Sequence, residues 1–83
     1  MYVVRIARPD QELDFKAFSS LHDAKHRFYE VDDRIPDDFQ GVALFEAPHA
    51  DDAGKAVQEV KAGHAELLDL DLWSRLFGAR VNH

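Results

Sequence analysis

Two histidines, His22 and His26, stand four residues apart in the segment HDAKH, with Asp23 directly after the first. On an α-helix this spacing puts both imidazoles on one face, as in the H-E-x-x-H motif of zinc proteases. A catalytic zinc ion needs a third protein ligand and an open coordination position. The extended protease motif has a glycine and a further histidine, but Tyr29 and Asp32 occupy those positions. The sequence therefore predicts surface histidines and no metal site.

A metal-dependent hydrolase remains an alternative, in which His22, His26 and a carboxylate such as Glu46 would share one ion. Other reactive patterns are absent. The chain has no cysteine, and its four glycines cannot form a dinucleotide-binding turn. DDRIPDD lacks the glycine and glutamate of a calcium loop, and AGKAV lacks the outer residues of a phosphate loop. The sequence predicts no cofactor and favours a non-enzymatic protein.

Two sets of surface residues are candidates for contact with a partner. A second stripe on the first predicted helix combines aromatic and imidazole rings, and its members are Phe15, His22, His26 and Tyr29. Acidic residues cluster twice, as Asp32, Asp33, Asp37 and Asp38 and as Glu66, Asp69 and Asp71. Alternating carboxylates on a strand keep a sheet edge soluble, and they also suit a basic partner. We expect Arg5 and Arg8 to pair with the second acidic cluster across the sheet.

Composition limits the class of protein. The 83 residues make one small domain, 1–83, with 46% hydrophobic and 31% charged residues, which is ordinary for a globular chain. The net charge of −6 and the scattered basic residues argue against nucleic-acid binding. The longest apolar run, Val42–Phe45, is too short to span a membrane, and no signal peptide is visible. The absence of cysteine fits a cytoplasmic protein.

Hydrophobic periodicity predicts the secondary structure of the first part of the chain. Residues 2–8 are β-branched and predict a strand. From about Phe15 to Val31 the period becomes helical, with a buried stripe of Ala17, Leu21, Ala24, Phe28 and Val31 and with Phe18 at its margin. Residues 42–47 are apolar on both faces and predict a central strand with two neighbours.

Beyond Pro48 the pattern predicts a second helix. Asp51 or Asp52 caps its start, Gly63 stops it, and Ala53, Ala56, Val57 and Val60 form its buried stripe. The segment ELLDLDLW then alternates between apolar and acidic residues, which predicts a third strand. Leu68, Leu70 and Leu72 lie on one face of it, and Asp69 and Asp71 lie on the solvent-exposed face. A helix over 65–77 is the alternative. Residues 74–78 predict a terminal turn, and the last five residues are expected to fray.

These elements predict an α/β (or α+β) fold. The β-α-β-α-β order favours a two-layer sandwich with a parallel, three-stranded sheet and two helices on one face. We expect a non-enzymatic interaction domain that forms a homodimer through the uncovered sheet face or the Phe15–Tyr29 stripe. An acidic inhibitor or antitoxin-like protein that binds a basic partner is the alternative.

Overall fold

The computed structural model of the chain describes the backbone of residues 1–74 and 79–82 and the side chains of residues 1–71. Its elements are β1 (Tyr2–Ala7), β2 (Leu13–Phe18), α1 (Leu21–Asp32), β3 (Gly41–Glu46), α2 (Ala53–Lys61), β4 (Glu66–Ser74) and β5 (Ala79–Asn82). The strands form one sheet in the order β2-β1-β3-β4-β5, and all pairings between these strands are antiparallel. The α+β class is confirmed, while the predicted β-α-β-α-β order and the parallel three-stranded sheet are wrong.

The first error concerns residues 15–18, which the helical period assigned to the first helix but which belong to the strand 13–18. This strand, β2, pairs with β1 in a hairpin. The turn is closed by two backbone hydrogen bonds, from the Arg8 amide to the Glu12 carbonyl and from the Gln11 amide to the Arg8 carbonyl, both 2.9 Å. The segment LDFKAF alternates between the two sheet faces, which is the strand period of two. A hairpin leaves β1 free to pair with β3 on its other side, so no parallel crossover is needed.

One side of the sheet, the α1 face, packs against α1. The sheet contributes Val4, Ile6, Val42 and Leu44, and α1 contributes Ala24, Phe28 and Val31, with Ile35 completing the cluster. The three α1 residues are buried as predicted, and Leu21 packs against them half-buried. Ala17 was predicted in the same stripe, but it lies on β2 in the opposite cluster, because residue 17 precedes the helix.

The other side, the α2 face, packs against α2. Val3 of β1 meets Ala56 and Val60 of α2 there. Val57 is half-buried and Ala53 is exposed, so the predicted stripe of α2 is confirmed in part. Successive strand residues point to opposite faces, so Val3 and Val4 require the two helices to lie on opposite sides of the sheet. The predicted two-layer sandwich is therefore wrong: β1 is apolar on both faces and each face has its own helix.

Capping hydrogen bonds define where the two helices begin, and a glycine defines where α2 ends. The Ser20 hydroxyl accepts a hydrogen bond from the Asp23 amide at 3.4 Å, and the Asp52 carboxylate accepts one from the Lys55 amide at 2.8 Å. Gly63 ends α2 with a φ of +78°, as predicted. The helices are 12 and 9 residues long. Among the described residues no helix is long and apolar enough to cross a bilayer.

Two strands beyond the hairpin follow the prediction. β3 lies between β1 and β4 as a central strand, and residues 66–74 form β4 rather than the alternative helix. Register shifts between Leu44 and Phe45, which lie opposite Asp69 and Leu67, so that Leu68 is an extra residue in a β-bulge. The turn predicted at 74–78 falls mostly outside the described residues. Residues 79–82 pair with β4 as β5 instead of fraying.

Candidate functional site

The two histidines of HDAKH lie on α1 and are exposed. Both line a groove between α1 and the edge strand β2. Glu46, the distant third ligand considered above, lies on β3 opposite Tyr2 and does not line that groove. In the part of the chain that the structure describes, no group of three or more His, Cys, Asp or Glu side chains could hold a metal ion. The described residues thus give His22 and His26 no third protein ligand.

The α1–β2 groove has a volume of about 710 Å³. Ile6 forms its apolar base, and residues of β2 form one wall. The α1 residues His22, Asp23, His26 and Arg27 form the other, and the β2 residues are Asp14, Phe15, Lys16 and Phe18. The groove exists because β2 turns at Ser20 into a helix that runs back over the sheet. Three residues of HDAKH, namely His22, Asp23 and His26, line this groove.

Two of the charged side chains that line the α1–β2 groove, Asp14 and Arg27, form ion pairs. Arg8 pairs with Asp14, and Arg27 pairs with Glu30 one turn along α1. The hydrogen bond that Arg8 donates to the Asp14 carboxylate, and then the negative charge of that carboxylate, raise the pKa of Arg8. Lys16 is exposed and makes no ion pair with any residue that the structure describes. Its ammonium group is therefore available to a ligand.

The predicted ring-bearing stripe does not form, because Phe15 lies on β2 and not on α1. Its side chain packs half-buried on the α2 face, where the Lys61 ammonium lies 5.1 Å from the ring centroid. Tyr29 remains on α1, 53% exposed, with its ring edge-on to Phe28 at 5.5 Å between centroids. His22, His26 and Tyr29 share the helix, whereas the Phe15 side chain packs on the opposite face of the sheet.

The first acidic cluster lies at the end of α1 and in the turn that follows. Asp33, Asp37 and Asp38 are exposed there, and Asp32 is half-buried. Asp38 pairs with Arg34 at 3.4 Å, which partly neutralises the cluster. Exposed pairs of this kind contribute little to stability. These acids form a solvated surface.

The second acidic cluster is not a single exposed face. Glu66 is exposed, but Asp71 is only 1% exposed, opposite Val42 on the α1 face. The Asp69 carboxylate accepts a hydrogen bond from the Leu70 amide at 2.8 Å. The prediction that this face of β4 is exposed to solvent is therefore wrong at Asp71, whose side chain is buried on a strand that lies between β3 and β5.

The expected pairing of Arg5 and Arg8 with the β4 acids is also wrong. Arg8 binds Asp14 across the hairpin. Arg5 lies on the α2 face, whereas Asp69 and Asp71 lie on the α1 face. Its guanidinium carbon stands 5.0 Å from the centroid of the Phe45 ring, which is the geometry of a cation–π contact.

A feature that sequence reasoning did not locate lies on the α2 face, beyond the reach of α2. We call it the open face and define it as Arg5, Ala7, Leu13, Gly41, Ala43, Leu67 and Leu70, which the strand register places on that side. Small residues form its floor, and Leu13 and Leu70 stand at opposite sides of a hollow of about 300 Å³. The bulge at Leu68 brings Leu67 onto the face that Leu70 already occupies.

Three of the four exposed large hydrophobic side chains in the described region belong to the open face or adjoin it. Leu13 is 51% exposed and Leu67 49%, and Leu68, beside the latter, is 41% exposed. Leu67 and Leu68 adjoin each other on β4, whereas Leu13 lies on β2 at the far side of the hollow. Exposed apolar side chains around a hollow are typical of a contact surface. The alternation of LDFKAF was the sequence signal for Leu13.

Comparison of the chain with protein families, with curated proteins and with solved structures finds no match. The case for a function therefore depends on the geometry of this chain's own residues.

Proposed function

We propose that the chain is a non-enzymatic, self-associating module that forms a homodimer through its open face. The observation that carries this proposal is that Leu13 on β2 and the adjacent Leu67 and Leu68 on β4 are exposed at the two sides of one hollow in the sheet. Sheets pack face to face about 10 Å apart through such side chains. A chain of 83 residues buries a modest core and gains stability when a second copy covers its exposed leucines.

Charge favours a second copy as the occupant of the open face. The chain carries a net charge of −6, so two copies repel each other over most of their surface. No carboxylate belongs to the open face as defined, and its one charged member, Arg5, is held over its own Phe45 ring. Two copies therefore meet with the least repulsion when their open faces approach each other.

The exposed leucine surface sets the strength of the dimer. Full burial of a leucine side chain is worth about 1.5–3 kcal/mol, so a half-exposed one contributes about 1 kcal/mol when a partner covers it. Three such leucines on each of two copies give about 6 kcal/mol of gross burial free energy, and the loss of translational and rotational freedom on association opposes it. We expect a weak, reversible dimer.

Sedimentation equilibrium at increasing concentration tests the dimer. Leu67→Ser removes about 1 kcal/mol of burial free energy from each copy in the dimer, so the dimer dissociation constant is expected to rise at least about tenfold. Tyr29→Ser is the matched control, because Tyr29 is 53% exposed against 49% for Leu67 but lies on α1 across the sheet. The control is expected to dimerise like the unmodified chain.

Two results would contradict the proposal. One is an unmodified chain that stays monomeric at high micromolar concentration. The other is equal weakening by both variants, which would show that the interface does not lie on the open face.

A further inference from the structure

We propose that the α1–β2 groove binds a small organic anion, with a carboxylate or phosphate group attached to a flat apolar body. The groove lies on the α1 face, opposite the surface proposed for dimerisation, so the two proposals can fail separately. Its volume of about 710 Å³ is within the range of small-molecule sites.

The base of the groove suits an apolar body. Ile6 is 4% exposed and belongs to the core, and Phe18 packs half-buried against the same cluster. Small-molecule sites combine such a base with a few polar groups at the rim. A flat ring or short chain laid over Ile6 and Phe18 would cover apolar surface that now faces the groove.

The rim of the groove is less acidic than the chain as a whole. The whole chain has 10 Lys and Arg residues against 16 Asp and Glu. The groove brings together four nitrogen-bearing side chains, Lys16, His22, His26 and Arg27, and two carboxylates, Asp14 and Asp23. Arg8 neutralises Asp14 and Glu30 neutralises Arg27, which leaves the Lys16 ammonium, two imidazoles and the Asp23 carboxylate. Hydrogen-bond donors therefore outnumber carboxylates there, and an anion meets less repulsion in the groove than over the chain as a whole.

Three donors can reach an anion from two sides. Lys16 projects from β2, and it has no competing ion pair among the described residues. His22 and His26 stand one helical turn apart on α1, about 5–6 Å between their Cβ atoms. Imidazole and ammonium groups both donate hydrogen bonds to carboxylate or phosphate oxygens. Two walls of donors above an apolar base match an anion with an apolar body better than a bare ion.

Titration of the ¹⁵N-labelled chain with phenyl phosphate, followed by amide and imidazole NMR shifts, tests the proposal. We expect shifts confined to β2 and the first two turns of α1, with millimolar or tighter affinity. Inorganic phosphate, which lacks the ring, is expected to bind at least about tenfold more weakly. Lys16→Gln is expected to weaken phenyl phosphate binding by about tenfold, the loss of one charge-assisted hydrogen bond.

The matched control is Lys25→Gln, which removes the same charge from an exposed position of α1 that does not line the groove. It is expected to leave binding unchanged. Equal weakening by both variants would reduce the effect to net charge and overturn the proposal. Phosphate that binds as tightly as phenyl phosphate, absence of saturable shifts, or shifts centred elsewhere on the chain would overturn it as well. Amide spectra of both variants establish that each is folded.

Discussion

Replacing Gly63 by alanine tests the C-terminal cap of α2, because the structure shows where the expected loss of stability comes from. Gly63 has a φ of +78°, and its amide donates to the Val60 carbonyl at 3.1 Å while the His64 amide donates to the Glu59 carbonyl at 2.9 Å. An alanine Cβ would meet nothing within 4 Å, so the cost comes from the backbone alone. The left-handed conformation costs an L-residue about 1–2 kcal/mol, and the loss of chain entropy in the unfolded state offsets part of it. We expect a net loss of about 1 kcal/mol, or roughly 4–8 °C in Tm.

Gly54→Ala provides the matched control within the same helix. Gly54 lies in the first turn of α2, and an added Cβ would be 3.4 Å from the Asp52 carboxylate, which is ordinary contact. Alanine is favoured over glycine within a helix by about 0.5–1 kcal/mol, so this variant is expected to be as stable as the parent or more so. Urea unfolding followed by circular dichroism compares the two. A Gly63→Ala variant that equals or exceeds the stability of Gly54→Ala would refute the cap.

Further predictions concern the core and the histidines. Phe28 is 3% exposed, so Phe28→Ala is expected to lower the free energy of unfolding by about 3–5 kcal/mol. Tyr29 is 53% exposed, so Tyr29→Ala is expected to lower it by about 1 kcal/mol or less. Equal losses for the two variants in urea titrations would place the core on another face of α1. Because His22 and His26 have no third metal ligand among the described residues, a chelator is expected to leave Tm unchanged, and stoichiometric zinc with a lower Tm after chelation would contradict this.

Local signals predicted the second half of the chain well. Asp52 and Gly63 carry side-chain and backbone chemistry that marks helix ends wherever they occur, and α2 begins and ends beside them. Residues 42–47 are apolar on both faces, and β3 has a neighbour on each side. These predictions succeeded because each depends on a few adjacent residues and not on how distant strands pair.

Hydrophobic periodicity alone could not predict the strands in the first half of the chain or the residues that meet at the candidate site. Phe15, Ala17 and Phe18 fit a helical stripe as well as a strand, and the deciding signal was the cap at Ser20, which excludes a helix running through residue 20. With β2 misassigned, Phe15 was placed on the wrong side of the sheet. Asp71 follows the alternation of a wet strand but is buried, because burial depends on what covers the strand.

The extra residue in β4 makes that strand tolerant of shortening at one point only. On either side of Leu68, the strand pairs one-to-one with β3. Excising Leu68 would therefore leave the pairing register intact on both sides, with Leu67 still opposite Phe45 and Asp69 still opposite Leu44. Excising Leu70 instead would turn over the side chains on one side of the gap, since strand residues alternate between faces. Because Leu67 and Leu68 are identical neighbours, deleting either gives the same chain. A deletion scan of β4 would therefore find this one deletion permissive and the deletions around it damaging.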